Sequence, residues 1–138
     1  MNIDSFVFSK RSIKSFHTVW RAPSNIALVK YWGKYGIQLP NNPSISFTLS
    51  NCTTTTEVSF SPNDKDTHLS FKFYFNKKER PDFHPKINQF FEYILPYFPI
   101  LKDHHLVISS LNSFPHSSGI ASSASAMAAL ALCIVDFE

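Results

Sequence analysis

The stretch LVISSLNSFPHSSGIASSASAMAALALCIVDFE, residues 106–138, decides the fold. Its first six residues read as a strand, a loop through Pro115 follows, and Gly119 opens a helix that runs to Glu138. From Ala121 onward that helix is apolar on nearly every side, so it has to be covered all round. Its last turn carries no capping glycine, no basic residue and no following proline. A small domain has difficulty enclosing such a helix. Residues 1–138 are therefore expected to be the N-terminal part of a longer fold, with a C-terminal domain absent.

Moving toward the N-terminus, 85–97 fits a helix with Pro85 in its first turn and Ile87, Phe90, Phe91, Ile94 and Leu95 on one face. Residues 68–75 alternate Leu69, Phe71, Phe73 and Phe75 with His68, Ser70, Lys72 and Tyr74, which predicts a half-buried antiparallel strand. Asn76 begins a turn, and Lys77-Lys78-Glu79-Arg80 reads as its solvated continuation. Strands are expected at 44–49 and at the threonine-rich 53–60, with a turn at 61–66. Residues 31–43 hold Gly33, Gly36, Pro40, Asn41, Asn42 and Pro43, a long loop of the kind that carries function. Residues 15–30 suggest two strands meeting at a bend at Ala22-Pro23. Several strands, a helix, a strand and a buried helix, without βαβ alternation, predict an α+β fold with a mostly antiparallel or mixed sheet packed against helices.

Composition narrows the function classes. Of 138 residues, 43% are hydrophobic and 17% charged, which suits a packed domain and excludes disorder and low complexity. Fourteen Phe make the core a ring-built one, and three Gly in the whole chain suggest that each answers a backbone need. The net charge of +3 suits an anionic small molecule as well as a nucleic acid, but no basic arm is present. Cys52 and Cys133 show no metal-ligand spacing, and Cys133 reads as core. No secretory signal opens the sequence, and the longest apolar run, 126–135, is about half a membrane span. The expectation is a cytoplasmic protein without membrane or nucleic-acid partners, able to form a homodimer through its apolar helix.

Two segments carry chemistry. In 113–124 a strand exit, one glycine and a Ser-rich helix start would offer N–H groups, a positive dipole end and hydroxyls to phosphate oxygens. A Walker A order is absent, and an ordinary Ser-capped buried helix would read the same way. In 22–34, Lys30, Tyr31, Trp32 and Lys34 surround Gly33 at a strand exit. Two ammonium groups and a phenol would make a receptor for a diphosphate, with Trp32 as an apolar wall; a surface loop with solvated lysines is the alternative.

Taken together, APSNIALVKYWGK, PNNPSISFTLS and NSFPHSSGIASSASA resemble the diphosphomevalonate decarboxylases, a branch of the GHMP small-molecule kinase superfamily. The resemblance is good over 22–49 and 106–132 and thinner between them. It implies a GHMP-kinase-type domain of the ribosomal protein S5 domain 2-like kind. It also implies ATP-dependent decarboxylation of 5-diphosphomevalonate to isopentenyl diphosphate, with Mg²⁺-ATP as co-substrate and no prosthetic group. By resemblance Tyr31, Trp32, Gly33 and Lys34 bind the substrate diphosphate, joined by Lys86. Lys30 assists catalysis. Pro115, Ser118, Gly119, Ile120, Ala121, Ser122 and Ser123 wrap the ATP phosphates, with Ser122 or Ser123 nearest the metal.

The sequence departs from that family in carrying no acid in a matching motif; Asp4, Asp82, Asp103 and Asp136 all lie elsewhere. The catalytic set is therefore incomplete, and the chain alone is expected not to decarboxylate. Adjacent His104 and His105 point to opposite faces if extended, which argues against joint metal ligation. Three other readings compete: a mevalonate or phosphomevalonate kinase, a non-catalytic remnant, and a sheet-stacking RNA module that needs exposed Phe71 and Phe73.

Overall fold

The computed structural model describes residues 15–36, 39–63, 68–115 and 119–137. A five-stranded sheet carries two helices. Its strands are β1 (Phe16–Val29), β4 (Ile45–Pro62), β5 (Ser70–Phe75), β6 (Lys78–Glu79) and β7 (His104–Asn112), in the order β1-β4-β7-β5-β6. A separate two-residue ribbon pairs β2 (Lys34–Tyr35) with β3 (Leu39–Pro40), inside the segment expected to be loop alone. The helices are α1 (His84–Ile94) and α2 (Ser122–Phe137). This is the mixed α+β architecture that the element pattern predicts.

Three expectations change in detail. Residues 15–30 form one strand, not two, and the Ala22-Pro23 bend survives as a register shift between Pro23 and Ser24. The strands expected at 44–49 and 53–60 are one continuous strand. The Phe-rich strand is not purely antiparallel: β5 runs antiparallel to β6 but parallel to β7, with Phe73 opposite Ile108. Parallel neighbours need a crossover, and the β6–α1 segment supplies it. The helix expected over 85–97 ends at Ile94; of the turn expected at 61–66, Ser61 and Pro62 belong instead to β4, paired with β7, and 64–66 lie outside the described residues.

The alternation of β4, β5 and β7 builds the core. Val58 and Phe60, Phe73 and Phe75, and Leu106 and Ile108 are buried on the helix side, against Ile87 and Phe91 of α1 and Leu130, Cys133, Ile134 and Phe137 of α2. Phe60 and Phe137 stack with centroids 4.1 Å apart at an interplanar angle of 4°. The other sheet face carries polar pairs, with exposed His17 meeting Glu57 at 2.7 Å and Ser70 meeting His105 at 2.8 Å, among exposed Val19, Val107 and Leu111. His104 is buried and His105 is not, as opposite faces require. Phe73 is buried and Phe71 is packed between His84 and Phe91, so β5 offers no exposed Phe71–Phe73 platform for stacked bases.

α2 is only partly enclosed. Ser125, Ala129, Leu130, Cys133, Ile134 and Phe137 are buried, whereas Leu132 and Val135 are exposed. Beyond the sheet, the first part of β4 pairs only with β1, and this two-stranded ribbon exposes Ile26, Leu28, Val29, Ile45 and Phe47.

Candidate functional site

The ribbon leads straight into the basic loop. Ala27 of β1 and Ser46 of β4 are register partners, and with Lys30, Tyr31 and Ser44 they line a shallow polar cleft. Lys30 and Tyr31 thus share one surface, whereas Trp32 stands 83% exposed. Trp32 walls nothing among the described residues. The Lys34 ammonium lies 5.7 Å from the Tyr31 ring centroid, within reach of a cation–π contact. Ser44 and Ser46 add hydroxyls that the motif reading did not single out.

Two asparagines, also without an expected role, hold this loop. The Trp32 N–H donates to Asn42 Oδ1 at 2.7 Å, and Asn42 Nδ2 donates to the carbonyls of Lys30 at 3.4 Å and Pro43 at 2.9 Å. The Asn41 N–H donates to the Gly33 carbonyl at 3.2 Å, and Asn41 Nδ2 to the Trp32 carbonyl at 3.4 Å. Gly33 has φ +77°, the left-handed region, and a Cβ there would come within 2.7 Å of Asn41 Nδ2. Their signal in the sequence was the unexplained Asn-Asn pair between two prolines.

The second group gathers at the start of α2. Gly119 has φ +80°, and a Cβ added there would meet nothing within 4 Å. Glycine is thus required by the backbone turn, and the space beside it is open. The Ala121 carbonyl accepts from the N–H groups of Ala124 and Ser125, and the Ala121 N–H donates to the Asn25 carbonyl of β1 at 3.4 Å. That bond ties the helix start to the strand that ends at Val29, just before Lys30. Ser122 is half-buried and Ser123 exposed in the first turn. Pro115, Gly119, Ile120 and Ala121 lie in the loop as expected; Ser118 falls outside the described residues.

Lys86 belongs with the α2 group. It lines a narrow apolar cleft between the helices together with Ser122, Ser123 and Asn112, over a floor of Phe73, Phe75, Phe83, Ile108 and Leu130. The residues lining the Lys30–Tyr31 cleft do not include it. Beneath the helix start, the Thr54 hydroxyl donates to Asn112 Oδ1 at 2.8 Å and lies 2.6 Å from the Ser125 hydroxyl. The buried Asn112 Nδ2 is left without a partner. Such a donor is costly to leave unmade and is available to an acceptor that enters the cleft.

Among the described residues no carboxylate lines either cleft. Asp136 is engaged elsewhere: the Thr18 hydroxyl and the Trp20 side chain donate to it, and those bonds hold its pKa below the ordinary carboxylate value. No cluster of three or more His, Cys, Asp or Glu exists among the described residues to hold a metal ion. The two linked places present ammonium, hydroxyl and N–H donors, a donor set that suits an anion.

Comparison with known proteins fits this arrangement. The sequence profile of the family described as diphosphomevalonate decarboxylase-like N-terminal domain matches residues 22–138. Diphosphomevalonate decarboxylase mvd1 of Aspergillus fumigatus is 35% identical over 144 residues, covering 88% of this chain and 34% of the relative. The crystal structure of mevalonate diphosphate decarboxylase from Staphylococcus aureus superposes with TM-score 0.70 at 36% identity, over 86% of this chain and 35% of that one. A solved structure of the MDDEF protein in complex with MVAPP, AMPPCP and magnesium gives TM-score 0.69 at 32% identity, over 85% and 35%. The chain spans about a third of the length of the curated relatives it matches.

Proposed function

The chain belongs to the diphosphomevalonate decarboxylase-like N-terminal domain family, and from that membership we propose that it carries the anion-binding part of an ATP-dependent decarboxylase acting on 5-diphosphomevalonate. The observation that supports this most is the Asn25–Ala121 hydrogen bond, which couples a lysine-rich loop to a glycine-led helix start. A reaction that brings a diphosphate substrate to Mg²⁺-ATP needs two such places side by side.

In this reading the ammonium groups of Lys30 and Lys34 and the Tyr31 hydroxyl hold the substrate diphosphate, with Trp32 and Gly33 as parts of the same loop. The open backbone at 119–121 and the α2 N-terminus receive the ATP phosphates, with Ser122 or Ser123 nearest the magnesium. Pro115 and Ser118 complete that loop. In the same reading Lys86, which lines the apolar cleft beside Ser122 and Ser123, neutralises phosphate charge there. The cleft floor of phenyl rings suits a flat base, and Asn112 Nδ2 offers that base a donor. Bound Mg²⁺-ATP supplies the phosphoryl group that makes the tertiary hydroxyl a leaving group; the protein's part is to place and neutralise spread negative charge.

Lyase chemistry in isoprenoid synthesis, a cytoplasmic location and a homodimer complete the proposal. Among the described residues no helix is long and apolar enough to cross a membrane. Calorimetric titration of the chain tests the substrate class. The decarboxylase reading expects 5-diphosphomevalonate to bind in a Lys34-dependent way and mevalonate not to bind. Tight binding of mevalonate or its monophosphate would instead favour a GHMP kinase, and binding of neither ligand nor ATP would favour a non-catalytic domain.

A further inference from the structure

The two asparagines do something to the loop that their own contacts do not show at first sight. Between them they engage the carbonyls of Lys30, Trp32 and Gly33, three of the four carbonyls from Lys30 to Gly33. Of the N–H groups in the same stretch, Asn42 takes that of Trp32. The N–H groups of Tyr31 and Gly33 make no hydrogen bond among the described residues. Carbonyl oxygens repel an anion and N–H groups attract one. The clamp therefore occupies most of the loop's repelling groups and leaves two attracting ones open, flanked by the ammonium groups of Lys30 and Lys34. The positive φ of Gly33 turns the chain just after these two donors.

We propose that Asn41 and Asn42 are positioning residues for the anion site: they touch no phosphate themselves, and they hold residues 30–34 as a receptor whose main-chain donors face a diphosphate. This inference rests on the reading of that loop as a diphosphate site. Asn41 and the loop from Tyr31 to Gly36 are exposed, and Asn42 is only half-buried, so a merely structural contribution from the clamp to core stability is small. What the clamp organises is local. Losing the clamp lowers pyrophosphate affinity roughly tenfold.

The full chain, inorganic pyrophosphate and three variants test it. Pyrophosphate is titrated calorimetrically, and amide hydrogen exchange at Trp32 is followed by NMR without ligand. Asn42→Ala is expected to weaken binding roughly tenfold, to speed exchange at the Trp32 amide several-fold, and to leave the thermal midpoint within about two degrees. Asn41→Ala is expected to weaken binding less, because only its side-chain bond to Trp32 is lost. Lys34→Ala, which removes a contact instead of a support, is expected to weaken binding while Trp32 exchange stays unchanged. Wild-type affinity in Asn42→Ala, or unchanged Trp32 exchange, overturns the positioning role and leaves the diphosphate reading standing. A wild-type chain that does not bind pyrophosphate overturns the diphosphate reading and this inference with it.

Discussion

Gly33 and Asp136 show how much a single residue can be asked to do here. Left-handed backbone costs a non-glycine residue about 1–2 kcal/mol, and at Gly33 a methyl group would also press on Asn41 Nδ2 from 2.7 Å. Gly33→Ala should therefore loosen the clamp and reduce pyrophosphate affinity about tenfold, by calorimetry, while the core melts as before. At Asp136 the effect is on stability and depends on pH. Donation first from Thr18 and then from Trp20 holds its carboxyl below its ordinary value of 3.8. A group whose folded pKa is depressed contributes stability above the unfolded pKa and loses it as pH falls through the folded one. Wild type should thus melt above Asp136→Asn at neutral pH, and the two curves should converge in acid below pH 3.8. A gap that persisted at all pH values would assign the difference to packing. Trp20 fluorescence reports the same contact directly.

Among the elements, α2 was legible and the direction of β5 was not, for reasons of period and range. Sixteen consecutive residues without a polar stripe leave little doubt about a helix, and α2 covers Ser122–Phe137. The alternating Phe residues of 69–75 do reveal a strand facing a core. Strand direction, however, is set by which neighbour it finds, and the parallel partner β7 lies beyond a helix some thirty residues later. Local pattern carries no such information. The break expected between 49 and 53 likewise disappears because a sheet partner carries β4 through it: β1 pairs with it on both sides of the Pro23/Ser24 shift. Packing of α2 on the sheet has a chemical consequence. Cys133 is fully buried and its thiol donates to the Thr56 carbonyl at 3.3 Å; desolvation pushes its pKa up to about 11. Near pH 8 it is almost wholly protonated, and the thiolate is the reactive form. Native alkylation followed by mass spectrometry should therefore give a single adduct on the half-buried Cys52. A second adduct should appear only when denaturant opens α2. Equal labelling of both cysteines in native buffer would show that α2 does not stay docked.

At the scale of the whole molecule, the residues of the candidate site could be named from sequence, but not how the fold would group them. Lys30, Tyr31 and the 119–123 segment announce themselves by residue type next to glycine. The grouping of Lys86 with Ser122 and Ser123 emerges only when α1 and α2 are laid side by side on the sheet, and the roles of Asn41 and Asn42 emerge only from main-chain geometry. The missing function is as informative as the assembled one. Transfer of a phosphoryl group to a tertiary alcohol is helped by a carboxylate that accepts or orients the hydroxyl proton, and lysine and serine groups cannot replace it at neutral pH. Among the described residues no carboxylate lines either cleft, and the one carried on α2 itself, Asp136, is bound to Thr18 and Trp20 near the far end of that helix. The chain should therefore bind Mg²⁺-ATP and pyrophosphate yet release no ATP-dependent CO₂ from 5-diphosphomevalonate. The decisive measurement is trapping of labelled CO₂ from substrate labelled at the carboxyl carbon, at enzyme concentrations that saturate both ligands. Release above a heat-treated control would mean that one of the described acids swings into the loop, and Asp136→Asn would then identify or exclude the nearest of them. Failure of both ligands to bind would place the defect in the anion sites themselves, where Lys34→Ala and Lys86→Ala should have no further effect.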